Sequence, residues 1–379
     1  MGFSRLRNFF VALMMALILM SGAYFILQGN PHVPAKTVAR DTSDAISNDS
    51  AVSEIVYVPP EKLSTPPEIV KSVYMTSYSA TSKKYLNYLE NFFNNTEINA
   101  AVVDVKGGAI KDVDSLVRFF HEKNIYAIAR IVVFQDSQYA KLRPDLAIYN
   151  KEGEGLWKDN KGLTWMDPAS KEVWNYNVSL AKNAFYHGFD EVNFDYIRFP
   201  SDGDTKNMDY PVFDEKNSKR SVIREFFQYL RTELAGEKIS VDLFGQTTVN
   251  KDDMGVGQML EDAFEFFDYV CPMIYPSHYA DGFIGFQNPA EHPYEVVKYS
   301  LNNALARERI LLGRPEAPLA KAAQIRPWLQ DFNMGADYTA ELVKQEITAT
   351  QDSLENNFKG FMLWNPSNIY TQEAVLRPN

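Results

Sequence analysis

Short apolar runs alternate with longer stretches of helical periodicity from residue 70 to the end of the chain. Such alternation is typical of βα units arranged around a parallel sheet. The apolar runs predicted to be strands cover residues 71–78, 100–107, 126–134, 191–199, 238–245, 268–276, 323–332 and 360–367. Helices are predicted between them, for example over residues 112–123, 171–187, 216–235, 293–307 and 338–355.

Eight predicted strands with intervening helices favour a closed (β/α)8 TIM barrel over an open, doubly wound sheet. The open sheet is further disfavoured because no glycine-rich dinucleotide fingerprint or phosphate loop follows any predicted strand. The predicted fold class is therefore α/β, with a single (β/α)8 TIM barrel over residues 67–379. An N-terminal transmembrane or signal segment and a flexible stalk are predicted to precede the barrel.

Residues 1–28 are predicted to lie outside the barrel. Arg5 and Arg7 precede an uncharged apolar run over residues 9–27, which is long enough to span a bilayer. The positive flank predicts that the N-terminus stays inside and that the rest of the chain leaves the cytoplasm. A cleaved signal peptide is the alternative, since residues 21–23 are small. We favour an uncleaved anchor because the apolar run continues past them, which predicts a single-pass membrane protein with an extracytoplasmic domain.

Residues 29–66 are rich in Ser, Thr, Asp and Pro and keep no regular period, so they are predicted to form a disordered linker. The chain carries a formal net charge of −11 and a pI of about 5.1. An acidic chain without a basic stripe is not expected to bind nucleic acid. Membrane contact is therefore expected only through the N-terminal segment.

Cysteine and histidine usage argues against several other kinds of site. Cys271 is the single cysteine, which rules out a disulfide within the chain, and its apolar neighbours predict a buried, inert thiol. The five histidines show no metal-ligand spacing, and the G-x-S-x-G elbow of serine hydrolases does not occur. No metal and no cofactor are therefore predicted.

One predicted strand carries polar side chains where an apolar face is expected. In the stretch GFDEVNFDYIRFP (188–200), Glu191, Asn193 and Asp195 occupy every second position. Strands of a parallel sheet are buried on both faces and are normally apolar throughout. A row of polar groups therefore predicts a polar cavity, and TIM barrels place their active sites at the carboxyl ends of the strands.

Other predicted strands also end in polar or aromatic side chains on the inward-facing side. The predicted substrate-binding residues are Asp104, Lys106, Arg130, Trp165, Asn193, Arg198, Tyr275, His278, Gln330 (or its neighbour Asp331) and Trp364. Faces for sugar rings are predicted at Trp157, Trp165, Tyr275, Trp328 and Trp364, with burial in the core as the alternative. A structural ion pair between Asp104 and Lys106 is a second interpretation, and Arg130 or Arg198 could simply hold a carboxylate. Glu191 lies deeper and is interpreted as a structural partner.

The carboxylates of Asp195 and Asp242 lie on neighbouring predicted strands, an arrangement that suits cleavage of a glycosidic bond. One carboxyl group protonates the leaving oxygen, and the other acts as nucleophile or activates water. We predict that Asp195 is the nucleophile or base and that Asp242 is the acid. The distance between the two carboxyl groups decides whether the anomeric configuration is retained, at about 5 Å, or inverted, at roughly 6.5–9.5 Å.

The segment LWKDNKGLTWMDPASKEVWNYNVSLAKNAFYHGFDEVNFDYIRFPSDG (156–203) resembles the hallmark of a bacterial glycosyl hydrolase domain family. The resemblance extends through VVDVKGG, IARIVVFQD, VDLFG, VCPMIYPSHY, IRPWLQDF and GFMLWNPSN, and it covers about residues 70–375. It implies a TIM barrel with a glycosidase active site, and it implies no particular substrate.

The same strand is distantly similar to that of the family 18 chitinases, whose fourth strand carries a D-x-x-D-x-D-x-E run. Asp190, Asn193 and Asp195 stand where that run has its three aspartates. Ile197 stands in place of the final glutamate, which is the general acid of that family. The acid would then come from another strand or be absent.

Together these features predict a cell-surface glycoside hydrolase that cleaves an extracytoplasmic polysaccharide by paired-carboxylate acid/base catalysis. The alternative is a membrane-tethered, glycan-binding barrel without catalysis, which needs the aromatic faces but no carboxylate pair. Carboxyl oxygens of Asp195 and Asp242 more than about 12 Å apart, well beyond the catalytic range, would exclude the catalytic pairing.

Overall fold

The computed structural model describes residues 57–108, 110–313 and 322–377. The N-terminal segment predicted over residues 1–28, and the predicted linker up to residue 56, lie outside the described residues. No helix within the described part of the chain is both long and apolar enough to cross a bilayer.

A parallel sheet closes into a barrel with eight strand positions. The described strands are β1 (Val70–Met75), β2 (Ala100–Asp104), β3 (Tyr126–Val132), β4 (Tyr149–Asn150), β5 (Glu191–Asp195), β6 (Met208–Asp209), β7 (Ile239–Phe244), β8 (Tyr269–Met273), β9 (Gln324–Ile325), β10 (Trp328–Gln330) and β11 (Gly360–Trp364). The barrel order is β1, β2, β3, β5, β7, β8, then β9 and β10 sharing one position, then β11, which pairs with β1. The predicted (β/α)8 barrel is confirmed, and β4 and β6 form a separate antiparallel pair.

The helices pack on the outside of the barrel. Their bounds are Ser77–Ala80, Lys83–Asn95, Val113–His121, Ser137–Leu142, Lys171–Tyr186, Lys219–Glu233, Leu260–Phe266, Pro293–Leu312 and Ala340–Leu354. Several begin at a side chain that accepts a backbone N–H of the first turn, as Asp112 and Ser170 do. Burial of apolar side chains holds the helices against the sheet. In the helix Lys171–Tyr186, for example, Trp174 and Ala181 are buried in the layer between helices and sheet.

A second, smaller core fills the barrel interior, and it contains Tyr74, Val102, Ile128, Cys271 and Met362. The thiol of Cys271 is fully buried, as predicted. Burial raises the pKa of this thiol well above its ordinary value, which keeps it in the unreactive protonated form.

The amino-terminal half of the interior holds a fully buried ion pair between Glu191 and Arg326. Ser240 Oγ also donates to Glu191, at 2.5 Å. Arg326 precedes Pro327, which lacks an N–H for the ladder and so separates β9 from β10. Glu191 is therefore a structural partner, as predicted, and it lies below the residues that face the barrel mouth.

Residues 57–66 contact the barrel, although the sequence predicts them as the end of the linker. The backbone N–H of Leu63 donates to Asp190 Oδ1 at 2.7 Å, and the Leu63 side chain packs against the inner core. Pro60 lies so close to Gly188 that a Cβ at Gly188 would stand 2.6 Å from the Pro60 carbonyl oxygen. This segment therefore covers the amino-terminal face of the barrel, opposite the mouth.

Candidate active site

Arg130 on β3 lies at the centre of three carboxylates. Its Nη1 donates to Asp104 Oδ1 at 2.5 Å, and its Nη2 donates to Asp195 Oδ2. Its Nε lies 3.9 Å from Asp242 Oδ2. Because Asp195 and Asp242 both contact one guanidinium group, their carboxyl oxygens are no further apart than the roughly 9.5 Å that paired-carboxylate catalysis allows. The structure thus brings four of the predicted site residues together.

The register of the sheet explains why these side chains meet. Arg130 is aligned with Asn193 on β5, and Asn193 is aligned with Ser240 on β7. Asp195 and Asp242 each stand two residues further along their strands, so they project into the barrel on the same side and one level higher. Alternation along neighbouring strands therefore places both carboxylates at the mouth.

The two oxygens of Asp242 have different surroundings, and the residue is only 1% exposed. Oδ1 accepts hydrogen bonds from Trp328 Nε1 at 2.7 Å and from Asn193 Nδ2 at 2.8 Å. Oδ2 is buried and accepts no hydrogen bond from the described residues. Burial, and then the charge of Asp195, raise the pKa of Asp242 well above its ordinary value, although Arg130 opposes the shift. The surroundings of Asp242 therefore favour its protonated form.

Asp195 accepts hydrogen bonds on both of its carboxyl oxygens. Arg130 donates to Oδ2, and the backbone N–H of Tyr196 donates to Oδ1 at 2.5 Å. Tyr196 has a φ of +54°, in the left-handed region that a bulky side chain rarely adopts. This conformation ends β5 and turns the N–H of Tyr196 back toward the carboxylate, at a cost of about 1–3 kcal/mol in backbone strain.

Tyr74 on β1 completes the group, and the sequence reasoning missed it. Its hydroxyl donates to Asp104 Oδ2 at 2.5 Å, and its ring lies under the Arg130 guanidinium, 5.4 Å from centroid to Cζ. Burial raises the pKa of Tyr74 well above its ordinary value, so the hydroxyl remains a donor. The available signal was the position of Tyr74 in β1, where it alternates with the apolar residues Val73 and Met75 and so faces the barrel interior.

The opposite side of the mouth is lined by the aromatic wall, which we define as Tyr275, His278, Phe332 and Trp364. The rings of Tyr275 and Trp364 stack with centroids 5.5 Å apart, and Phe332 meets Trp364 edge-on at 5.0 Å. His278 is exposed and lies 5.3 Å from Tyr275, while Trp364 and Phe332 are half-buried. The structure thus brings three predicted residues together and adds Phe332, which the sequence reasoning missed.

The family model described as "Putative glycosyl hydrolase domain" matches residues 107–370, well over half of the chain. The chain belongs to this family. The match covers β3 through β11 and therefore includes Arg130, Asp195 and Asp242. The resemblance seen in the sequence is confirmed, and glycoside hydrolase-like chemistry is the function class that the family indicates.

Solved structures are also similar. A hypothetical protein from Ruminiclostridium thermocellum ATCC 27405 is 34% identical, with 48% of this chain and 98% of that chain covered and a TM-score of 0.40. The glycoside hydrolase domain of PgaB (BpsB) from Bordetella bronchiseptica is 13% identical, with 78% and 94% covered and a TM-score of 0.54. The α-galactosidase TtGalA from Thermus thermophilus is 14% identical, with 83% and 61% covered and a TM-score of 0.49. No curated protein matches significantly. The Bordetella domain shares the barrel fold.

Lys106 lies outside the carboxylate cluster of this family member. It follows the end of β2, and its Nζ pairs with Asp136 at 2.8 Å and donates to the carbonyl oxygen of Val133 at 3.1 Å. The ion pair between Asp104 and Lys106, considered from the sequence, is not formed because Asp104 pairs with Arg130 instead. Lys106 thus stabilises the loop after β3 through these contacts.

Gln330 and Trp165 are engaged by the protein itself. Gln330 Oε1 accepts from the Ser277 hydroxyl at 2.8 Å, and its Nε2 donates to the carbonyl oxygen of Phe332 at 3.0 Å. Trp165 is fully buried, and its Nε1 donates to Asp159 at 3.0 Å. Both side chains hold the loops around the mouth, and their polar groups bond to these loops rather than to Asp195 or Asp242.

Four of the five predicted sugar-binding faces are buried, which was the alternative interpretation. They are Trp157, Trp165, Trp328 and Tyr275, of which Tyr275 is 7% exposed and belongs to the aromatic wall. Trp328 instead serves as the donor to Asp242. Among the residues that the structure describes, no group of three or more His, Cys, Asp or Glu is arranged to hold a metal ion.

Proposed function

We propose that this chain hydrolyses glycosidic bonds of an extracytoplasmic polysaccharide by paired-carboxylate acid/base catalysis. The observation that carries the proposal is that Asp195 and Asp242 share the Arg130 guanidinium but differ in the hydrogen bonds that their two carboxyl oxygens accept. Asp242 is buried with a raised pKa, whereas both oxygens of Asp195 accept hydrogen bonds. One proton-bearing and one ionised carboxyl group are what this reaction requires.

In the proposed reaction, Asp242 Oδ2 donates its proton to the leaving oxygen as the glycosidic bond breaks. The carboxylate that results is already accommodated, since Asn193 and Trp328 donate to Oδ1 and Arg130 Nε lies 3.9 Å from Oδ2. Asp195 attacks the anomeric carbon or removes a proton from the attacking water. Arg130 holds Asp195 in place and is itself fixed from below by Asp104.

The aromatic wall is proposed to bind a sugar ring next to the carboxylates. Sugar rings present C–H groups on their faces, and half-buried rings such as Trp364 offer apolar area without an ordering cost. Tyr275 carries the contact inward, because it stacks on Trp364 and its electrostatic environment includes Asp242 and Asp195. The aromatic wall and the carboxylates would therefore bind the same substrate.

The acid role of Asp242 is tested with the full chain and a panel of bacterial and plant polysaccharides, measured by release of reducing ends. The Asp242→Asn variant is expected to turn over the active glycan roughly 10²- to 10⁴-fold more slowly, because asparagine carries no transferable proton. A dinitrophenyl glycoside of the same sugar needs little protonation, so the variant should cleave it at close to the unaltered rate. Equal losses on both substrates would contradict the assignment, and hydrolysis of no glycan would contradict the proposed function.

The same proton sets the pH dependence of the unaltered enzyme. Asp242 must be protonated to act, so turnover should fall as pH rises through its pKa. Burial and the Asp195 charge raise that pKa, which places the alkaline limb well above the ordinary aspartate value of about 4. A pH–rate profile on the polysaccharide measures the limb, and the dinitrophenyl glycoside should lack it.

We infer the extracytoplasmic, membrane-bound location from residues 1–28, in which Arg5 and Arg7 precede the apolar run. Protease added to spheroplasts of a bacterial host is expected to digest the full-length chain, and the undigested chain should fractionate with membranes. A chain lacking residues 1–28 should be protected as the control. Recovery of the full-length chain in the medium would favour the cleaved signal peptide, and protection of the full-length chain would overturn the inference.

A further inference from the structure

Arg198 differs from Arg130 in having no anionic partner. Its Nη1 donates to the carbonyl oxygen of Phe199 and to Ser201 Oγ, both at 3.1 Å. Among the described residues, no carboxylate oxygen lies within 4.0 Å of its guanidinium nitrogens. The residue is nevertheless only 6% exposed. A positive charge is therefore withdrawn from water without a carboxylate in direct contact, although Asp195, Asp202 and Asp159 act on it from a longer distance.

Three aromatic rings surround this guanidinium. Its Cζ lies 4.8 Å from the ring centroid of Trp165, 5.2 Å from that of Tyr196 and 4.6 Å from that of Phe244. Cation–π contacts recover part of the lost hydration but supply no negative charge. The pKa of Arg198 is lowered from its ordinary value by this burial, whereas the pKa of Arg130, among its carboxylates, is raised.

This aromatic sleeve, formed by Trp165, Tyr196 and Phe244, adjoins the carboxylate pair. Tyr196 directly follows Asp195, and Phe244 ends β7 two residues beyond Asp242. The Nε and Nη2 groups of Arg198 make no hydrogen bond within the described residues. Neither nitrogen belongs to the fully enclosed polar atoms without a partner in that part of the chain, so each keeps some contact with solvent. Two parallel N–H groups are thus open beside the reacting centre.

We propose that Arg198 binds an anionic substituent of the glycan, a carboxylate or a phosphate, and that the substrate is therefore an acidic polysaccharide. The inference rests on the proposed function. The planar fork of a guanidinium matches the paired oxygens of either group, and charge-assisted bonds of this kind are the strong ones. An anionic sugar entering a mouth that already contains Asp104 and Asp195 needs such a cation, and a neutral sugar does not.

The test measures binding separately from hydrolysis, using the full chain with the Asp195→Asn substitution to prevent turnover. The probes are D-glucuronate, D-glucose 6-phosphate and D-glucose, titrated by NMR. We expect one or both anionic sugars to bind about 10- to 100-fold more tightly than glucose. Adding Arg198→Gln should abolish this preference, whereas the control Arg143→Gln, which removes an exposed arginine paired with Asp145, should keep it.

Arg198→Lys provides a second variant should the glutamine variant fail to fold, as judged by circular dichroism. Lysine keeps the charge in the sleeve but loses the fork, so the preference should fall by about tenfold or more. Preference for glucuronate identifies a carboxylate, and preference for glucose 6-phosphate identifies a phosphate.

Equal binding of the three sugars, binding of none, or a preference that survives both Arg198 substitutions would overturn the inference. The proposed hydrolase activity is tested by a different measurement, the release of reducing ends. If the unaltered chain releases no reducing ends but the Asp195→Asn chain shows the Arg198-dependent preference, the hydrolase proposal fails and the anion site stands. If the unaltered chain hydrolyses a neutral glycan and the Asp195→Asn chain shows no preference, the hydrolase proposal stands and the anion site fails.

Discussion

The Asp195→Asn variant is expected to lose turnover by roughly 10⁴-fold or more if Asp195 is the nucleophile, and by about 10²- to 10⁴-fold if it activates water. Asparagine is nearly the same size and can keep the contact with the Tyr196 N–H, so the fold should be preserved while the negative charge is lost. Initial rates on the active polysaccharide measure the loss. The anomeric configuration of the first product released by the unaltered chain, followed by NMR, distinguishes the two roles, since a nucleophile leads to retention and a base that activates water leads to inversion.

The matched control for this prediction is Asp352→Asn. Asp352 lies on the outer helix Ala340–Leu354 and accepts a hydrogen bond from the Tyr294 hydroxyl at an exposed site. Its replacement should leave the rate within about twofold, since exposed surface substitutions are usually minor. An Asp195→Asn enzyme with nearly full activity would remove Asp195 from the chemistry and would leave the glycan-binding barrel as the better interpretation.

Loss of Arg130 should have the largest effect on stability. Replacing it with methionine leaves Asp104, Asp195 and Asp242 around an apolar side chain, and breaking a buried ion pair from one side typically costs about 3–5 kcal/mol. Urea unfolding of the two proteins measures the difference. The control is Arg143→Met, whose partners Asp145 and Glu172 are exposed, and it should cost no more than about 1 kcal/mol.

The deficit of the Arg130→Met protein should depend on pH in a particular direction. Without the guanidinium, the carboxylates of the folded state are unpaired, so their pKa values rise above those in the unfolded chain. A carboxyl group whose pKa is higher in the folded than in the unfolded state destabilises the protein at pH values above its unfolded-state pKa of about 4. Below that pH the group is protonated in both states, and the destabilisation disappears. The deficit should therefore shrink as pH is lowered. A deficit of equal size at all pH values would mean that Arg130 acts through packing alone.

The positions of the barrel strands, and the carboxylates on them, follow from local patterns that a sequence displays. Alternation decides which side of a strand a residue faces, so Arg130, Asp195 and Asp242 could be assigned to the barrel interior before their neighbours were known. The row at Glu191, Asn193 and Asp195 was informative because a polar side chain inside a parallel sheet has to be matched by another polar group.

Residues beyond the strand ends could not be placed in this way. Lys106 lies in the turn after β2 and Gln330 ends β10, where partners are set by loop geometry rather than by alternation. Both found partners in neighbouring loops, at Asp136 and Ser277. Phe332 was missed for the same reason, since only the packing of the loop after β10 brings it against Trp364.

The described segments that lead into and out of the barrel both lie on its amino-terminal side. Residues 57–66 cover that face, and Arg377 Nε donates to the carbonyl oxygen of Thr96 at 2.8 Å, just before β2 begins. Anything fused near either point is attached away from Asp195 and Asp242. The protein could therefore be immobilised on a solid support through either segment while its mouth remains accessible to a polymer much longer than the barrel itself.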